Sequence, residues 1–276
     1  MTENNKTIGM IVPNTDNSFF SALVHNTERS LSDQGYRLLI CDCHNDVQRE
    51  KDYLKTLSCL SSGIIDVSGL SELSDDLIPN DYPLVFVDRR PSSKRMIPWI
   101  GNDDEAAMNE VTSYLLDKGC SSIYLMPGYI AEHKDSPRVK GYKRALEDHG
   151  IEYDGSLILY RKGLKSSEEE TRELIMNELS LGKRIDAIIT SSDRSAFSVS
   201  KAIGQLGYYA PEDIRLISFD NTVYSTLSSP SITSIDRRPI EIASKAVDTL
   251  LSLLNKEEVS KQITIPVSLV KRDSSR

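Results

Sequence analysis

Short apolar runs alternate along this chain with stretches whose apolar residues recur every three or four positions, and glycines close most of the latter. Thr7 to Pro13, Arg37 to Cys43, Ile64 to Val67 and Leu84 to Val87 are predicted as strands, separated by predicted helices over Phe19 to Gln34 and Val47 to Ser61. In the first helix Leu23, Thr27 and Leu31 share a face and Gly35 supplies the stop; in the second, Tyr53, Leu54, Leu57 and Leu60 are expected inward. A further short helix is expected over Ser71 to Leu77. The rhythm restarts after Asp103, with helices over Asp104 to Lys118, Arg138 to His149, Ser167 to Leu181 and Arg194 to Leu206. Strands over Ser122 to Met126, Leu157 to Tyr160, Ala187 to Thr190 and Ile214 to Phe219 alternate with them. Repeated βα units imply an α/β protein with parallel sheets, and two successive sets of domain size imply two doubly wound lobes. The tail adds an amphipathic helix over Pro239 to Leu254 and a strand over Ile263 to Lys271.

Composition narrows the class. With 276 residues, 39% hydrophobic and 27% charged, the chain can bury a full core, which excludes global disorder. A formal net charge of -8 argues against a nucleic-acid surface on this chain, since phosphate contacts need a basic face. No run approaches the roughly 20 apolar residues of a membrane helix, and Met1 to Lys6 is polar with no apolar segment behind it, so a cytoplasmic protein is expected. The cysteines, Cys41, Cys43, Cys59 and Cys120, lack metal-ligand spacing and are expected to be mainly buried free thiols; zinc and a catalytic cysteine stay open as lesser alternatives.

The chemistry collects where strands end. Asn17, Phe19 and Phe20 follow the first strand, and Asp88-Arg89-Arg90 follow Leu84 to Val87. Ligands of open α/β sheets bind outside the carboxyl ends of strands, so these positions point to one small-molecule cleft. An amide bonds hydroxyls while aromatic faces stack on the C–H face of a sugar ring. A helix N-cap at Asp16 or Asn17 ahead of two core phenylalanines accounts for the first cluster equally well. Asp88 and Arg89 together offer an acceptor and a forked donor, or else a solvated turn. Polar residues recur after other predicted strands at Ser68, Ser191-Ser192-Asp193 and Asp220-Asn221. No catalytic constellation accompanies them: His25, His44, His133 and His149 lie beside no nucleophile elbow, His-Glu-x-x-His pair or phosphate loop. Asp88, Asp193 and Asp220 could act on a glycosidic bond, but each suits hydroxyl binding better. Neither a metal site nor a cofactor motif is predicted.

These residues, in this order, resemble the effector-binding core of LacI-family transcriptional repressors, which share the type I periplasmic sugar-binding fold. The likeness runs from Thr7-Ile8-Gly9-Met10-Ile11-Val12-Pro13 to the closing Ser274-Ser275-Arg276. Its sharpest marks are Asn17-Ser18-Phe19-Phe20, Asp88-Arg89-Arg90, Arg138 with Gly141-Tyr142, Ser192-Asp193, Phe219-Asp220-Asn221 and Ser234-Ile235-Asp236-Arg237. The resemblance implies a non-enzymatic sugar-binding and dimerisation core controlling operator binding allosterically, with two lobes joined by a three-strand hinge and closing like a jaw. The lobes would comprise residues 7–101 with 238–262 and residues 102–237 with 263–276, after a linker remnant at 1–6. It implies that Asn17, Phe19, Phe20, Ser68, Asp88 and Arg89 meet the effector from the first lobe, and Arg138, Ser192, Asp220 and Arg237 from the second.

Three departures from ribose-type members bear on the ligand. Ser192 stands where an asparagine is usual, Arg237 stands where a glutamine is common, and the segment around Lys162 lacks the aromatic often found there. Arg89, Arg138 and Arg237 against Asp88 and Asp220 leave a surplus positive charge, which favours a sugar phosphate or sugar acid unless Arg237 simply pairs with Asp220 or Asp236. The expected partners are a sugar or anionic sugar derivative, a second copy of the chain through Val47 to Ser61 or Ser71 to Leu77, and operator DNA through a helix-turn-helix domain absent here. A sugar-binding receptor of a transport system is the alternative.

Overall fold

The structure, a computed structural model, describes residues 6–128, 134–163 and 167–276. His133 and nearly all of the expected linker lie outside the described residues. The chain divides into two compact units, one comprising residues up to Asn102 with Arg238–Pro266, the other Asp103–Arg237 with Val267–Arg276.

The first unit is a six-stranded sheet of β1 (Thr7–Val12), β2 (Arg37–Asp42), β3 (Gly63–Asp66), β4 (Leu84–Val87), β5 (Trp99–Gly101) and β10 (Gln262–Thr264). Their spatial order is β10-β5-β4-β3-β1-β2, with every pairing parallel. Period-two alternation sends Ile8, Met10 and Val12 to one face, where Val85, Val87 and the helix α8 (Pro239–Leu254) close the core through Ile242, Ala246 and Leu250. Ile11, Ile64 and Phe86 face the other way onto Leu54 and Leu57 of α2 (Val47–Leu60). Helices on both faces are what make the short strands continuous apolar runs. Gly9 is required there, because a Cβ would lie 2.8 Å from a methyl of Leu57. Helix α1 (Ser18–Asp33) buries Leu23, Thr27 and Leu31 and ends where Gly35 adopts φ 75°.

The second unit has β6 (Ile123–Met126), β7 (Ala187–Thr190), β8 (Arg215–Phe219), β9 (Thr233–Asp236) and β11 (Ser268–Val270), ordered β11-β9-β8-β7-β6. Only β11 runs antiparallel, against β9. One face packs Leu125, Ile189 and Ile217 on α3 (Asp104–Asp117) and α4 (Pro137–Asp148), and the other packs Ile188 and Leu216 on α5 (Ser167–Ser180) and α6 (Asp193–Gln205). Tyr142 is fully buried, its hydroxyl donating to the Ile123 carbonyl at 2.8 Å.

Several expectations are corrected. The predicted strand over Ile263 to Lys271 is two strands, one in each unit, because Pro266 has no N–H to continue a ladder; the third passage between units therefore falls at Pro266–Val267. Ser71 to Leu77 is not helical, and Leu73 and Leu77 pack as loop residues into the first unit's core. Leu157 to Tyr160 forms no strand but follows a 3₁₀ turn at Gly155–Leu157, with one bridge from Ile158 to Leu125. Leu60, expected inward, is 55% exposed. Of the thiols Cys43 and Cys120 are buried, while Cys41 is half-buried and Cys59 exposed. Strand β5 and the short helix α7 (Val223–Leu227) are too brief for periodicity to reveal, and β9, as long as β3, is mostly polar and offers no apolar run.

Candidate functional site

Because β1 to β5 are parallel, their carboxyl ends gather along one edge of the first unit. Asn17 caps α1, its Oδ1 accepting from the Phe19 N–H at 2.8 Å. Phe19 is 1% exposed and lies in the core with Val12 and Leu23, and Phe20 is nearly as buried, edge to face with it at 5.6 Å between centroids. The arrangement is thus the N-cap followed by core aromatics that was the open alternative. The loop ahead of it is pinned by Thr15, whose N–H and hydroxyl donate to Asp42 Oδ2 at 2.8 and 2.6 Å. Burial pushes Asp42 up, but those bonds and one from the His44 N–H outweigh it and hold the carboxyl below its usual range.

Asp88 and Arg89 are half-buried at the end of β4. Asp88 takes φ 68°, a left-handed conformation that aspartate tolerates, and its carbonyl accepts from Trp99 Nε1 at 3.1 Å. Ser68 is corrected to a structural role: it is closed to solvent, and its hydroxyl donates to Glu50 Oε1 at 2.5 Å. Glu50 also accepts from the Gly69 N–H at 2.9 Å, and beside it Asp66 is completely buried. Burial, then mutual repulsion with Glu50, drives Asp66 well above the carboxylate range; burial raises Glu50 too. The neighbouring Cys43 thiol is pushed up to about 12, by burial first and then by Glu50. This buried acid pair was not foreseen, since Glu50 falls on an otherwise charged helix.

In the second unit the strand ends assemble more tightly. Arg138, buried on α4, donates from Nε to Asp104 Oδ2 at 2.9 Å and from Nη1 to the Ser191 carbonyl at 3.0 Å. Its guanidinium stacks 3.9 Å above the ring of Phe219, the last residue of β8. Next to it Asp220, at φ 103°, lies 3.5 Å from Arg237 Nη1. The carboxyl ends of β7, β8 and β9 thereby bring Arg138, Ser191, Phe219, Asp220 and Arg237 into one polar floor. Ser192, half-buried, caps α6 by accepting from the Ser195 N–H.

Asp193 underlies this floor. Its Oδ1 accepts from Ser218, and from Ser234 at 2.6 Å, while Oδ2 accepts from the Thr222 hydroxyl at 2.8 Å. It ties β8, β9 and the Asp220–Thr222 turn to the start of α6. Burial still raises its pKa against these hydrogen bonds. Sequence grouped Asp193 with the hydroxyl-binding carboxylates; its full burial makes it a structural clamp.

Comparison with known proteins agrees with this architecture. The chain belongs to the periplasmic binding protein-like domain family, whose model matches residues 112–275. It is similar to the transcriptional regulator RegA of Clostridium saccharobutylicum, 26% identical and covering 99% of this chain and 83% of that protein. To the repressor PurR of Vibrio vulnificus it is 28% identical, over 98% and 81%. The structure superposes on the transcription regulator CcpA of Lactococcus lactis with TM-score 0.87 at 24% identity, over 99% of this chain and 100% of that one. A periplasmic binding protein/LacI transcriptional regulator from Alkaliphilus metalliredigens, complexed with D-xylulofuranose, matches with TM-score 0.84 at 25% identity over 98% and 99%. These relatives are transcriptional regulators, not enzymes, and the chain is the effector-binding core of a LacI-type regulator.

Proposed function

We propose that this core binds a neutral sugar, with Arg138, Ser192, Asp220 and Arg237 as the sugar-binding residues of the second unit and Asp88 and Arg89, together with Asn17 and Phe20, as those of the first. The observation that carries the choice is ion pairing: Arg237 faces Asp220 and Arg138 faces Asp104. With two of the three arginines compensated, the surplus charge that favoured a sugar acid or phosphate disappears. Paired guanidinium and carboxylate groups offer fixed donors and acceptors to hydroxyls without net charge. The D-xylulofuranose complex of the Alkaliphilus protein supports a sugar of this kind.

Binding would regulate a second event, operator recognition by a helix-turn-helix domain in the cytoplasm, through a homodimer. The dimer reading rests on β2, an edge strand that exposes Leu39 at 40% and Ile40 at 47%, with Val47 and Leu60 of α2 also exposed. Apolar side chains on an open edge strand invite pairing with another chain. The effector test is thermal unfolding with a panel of neutral sugars, sugar acids and sugar phosphates. A saturable rise with a neutral sugar, reaching about 2.7 kcal/mol at a hundredfold excess over Kd and lost in Arg89→Gln, is the expected result. A panel without any shift overturns the assignment, and a shift confined to anionic compounds overturns the neutral ligand.

A further inference from the structure

The first unit holds a cavity of about 640 Å³ at the edge opposite its strand-end residues. Leu84 opens β4, Pro98 precedes β5 and Lys261 precedes β10, and all three line it. In a parallel sheet the strand starts lie far from the strand ends, so this cavity is separate from the effector residues. Its volume falls within the range of small-molecule pockets.

Three cations line it, Lys94, Arg95 and Lys261, against two carboxylates, Asp75 and Asp81. Lys94 already offsets Asp75, from 3.6 Å. Arg95 donates from Nη1 to the Pro79 carbonyl at 2.8 Å, which anchors one arm of the guanidinium. Its Nε and Nη2 are buried without a protein hydrogen-bond partner. Those two N–H groups form the side of the fork that grips an oxyanion bidentately. A buried donor pair left unbonded is unfavourable, and an oxyanion presented as the fork turns toward the cavity would relieve it. Met96, Ile97 and Leu253 add an apolar flank suited to the carbon skeleton of a small metabolite.

We infer that this cavity is a second ligand site, for a small phosphate-bearing molecule, with Arg95 as its bidentate anchor and Lys261 as a supporting charge. A phosphate dianion matches a fork and a lysine together better than a neutral sugar does. The site gives the protein a means of sensing a phosphorylated compound independently of the strand-end ligand.

The test is calorimetry of the whole chain at low ionic strength with inorganic phosphate and with glycerol 3-phosphate, on wild type, Arg95→Gln, Lys261→Gln and Arg89→Gln. Saturable 1:1 binding that falls at least about tenfold in Arg95→Gln and severalfold in Lys261→Gln, yet is unchanged in Arg89→Gln, is expected. Lys261 is exposed, so its variant reports on the site even if Arg95→Gln folds poorly. Tighter binding of glycerol 3-phosphate identifies an organic phosphate as occupant; equal binding identifies free phosphate. Absence of saturable binding of either compound up to about 10 mM overturns the inference. So does binding that survives Arg95→Gln and Lys261→Gln but disappears in Arg89→Gln.

Discussion

Arg237 and Asp220 form a buried ion pair, Nη1 to Oδ1 at 3.5 Å, with each side chain only 5% exposed. Removing one partner of such a pair strands the other charge in a poorly solvated site. Arg237→Gln and Asp220→Asn are therefore each expected to lower stability by about 3 kcal/mol. The double variant should lose clearly less than the sum. Urea denaturation of the four proteins checks this, and strict additivity would refute direct coupling.

Asp186 offers an acid-sensitive contact far from the candidate site. Burial tends to raise its pKa, but bonds to Oδ2 from the N–H groups of Ser121 and Ser122, at 2.7 and 2.9 Å, and to Oδ1 from Arg184 Nε hold it at about 2. A carboxyl with a depressed folded pKa stabilises fully above its unfolded value, near 4, and loses that contribution as pH falls towards 2. Asp186→Asn is expected to be about 2 kcal/mol less stable than wild type at pH 7. The gap should close between pH 4 and 2; a constant gap in equilibrium denaturation would contradict the assignment.

Glu50 and Asp66 act with the opposite sign. Both are raised, chiefly by burial, so the folded protein retains a proton that the unfolded chain releases near pH 4. Their contribution is complete below that pH and declines as pH rises through the folded pKa. Asp66→Asn should flatten the decline of stability as pH rises above the unfolded carboxylate range. Parallel wild-type and variant curves would exclude the pair as its source.

Gly141 marks a close approach of α4 to α3. A Cβ at this position would collide with the Glu105 carbonyl oxygen and stand 3.0 Å from the Asn109 nitrogen, both backbone atoms that cannot rotate away. Gly141→Ala is expected to cost about 3 kcal/mol despite the better helix propensity of alanine. Thermal denaturation with an unchanged midpoint would show that the two helices can separate at little expense.

The edge strand gives a test of assembly. On the proposed pairing through β2, wild type sediments as a dimer and Ile40→Lys, which places a charge on this edge strand, as a monomer in sedimentation equilibrium, with the fold retained by circular dichroism. Dimers that persist at the same protein concentration would move the interface elsewhere.

The order of strands and helices was legible because each central strand, such as Ile8 to Val12, is covered by helices on both faces and so reads as an unbroken apolar run. Capping at Asn17 was one of two open readings and capping at Ser192 was not read at all, although both bonds reach only two or three residues along the chain. Ser71 to Leu77 misled because Leu73 and Leu77 keep helical spacing while packing from a loop. Ile263 to Lys271 misled because a run of strand formers does not disclose that Pro266 divides it between two sheets.

The sequence by itself determined the α/β class, the two-unit organisation and the strand-end position of the polar residues, since each depends on periodicity and near-neighbour capping. Which charges compensate one another was decided by tertiary structure. Arg237 reaches Asp220 across 17 residues, Arg138 reaches Asp104 across 34, and Ser68 reaches Glu50 across 18. Electrostatic energy depends on distance and burial in the folded state, neither of which is written in residue order. That is why a surplus of positive charge counted along the chain became two closed ion pairs in the fold.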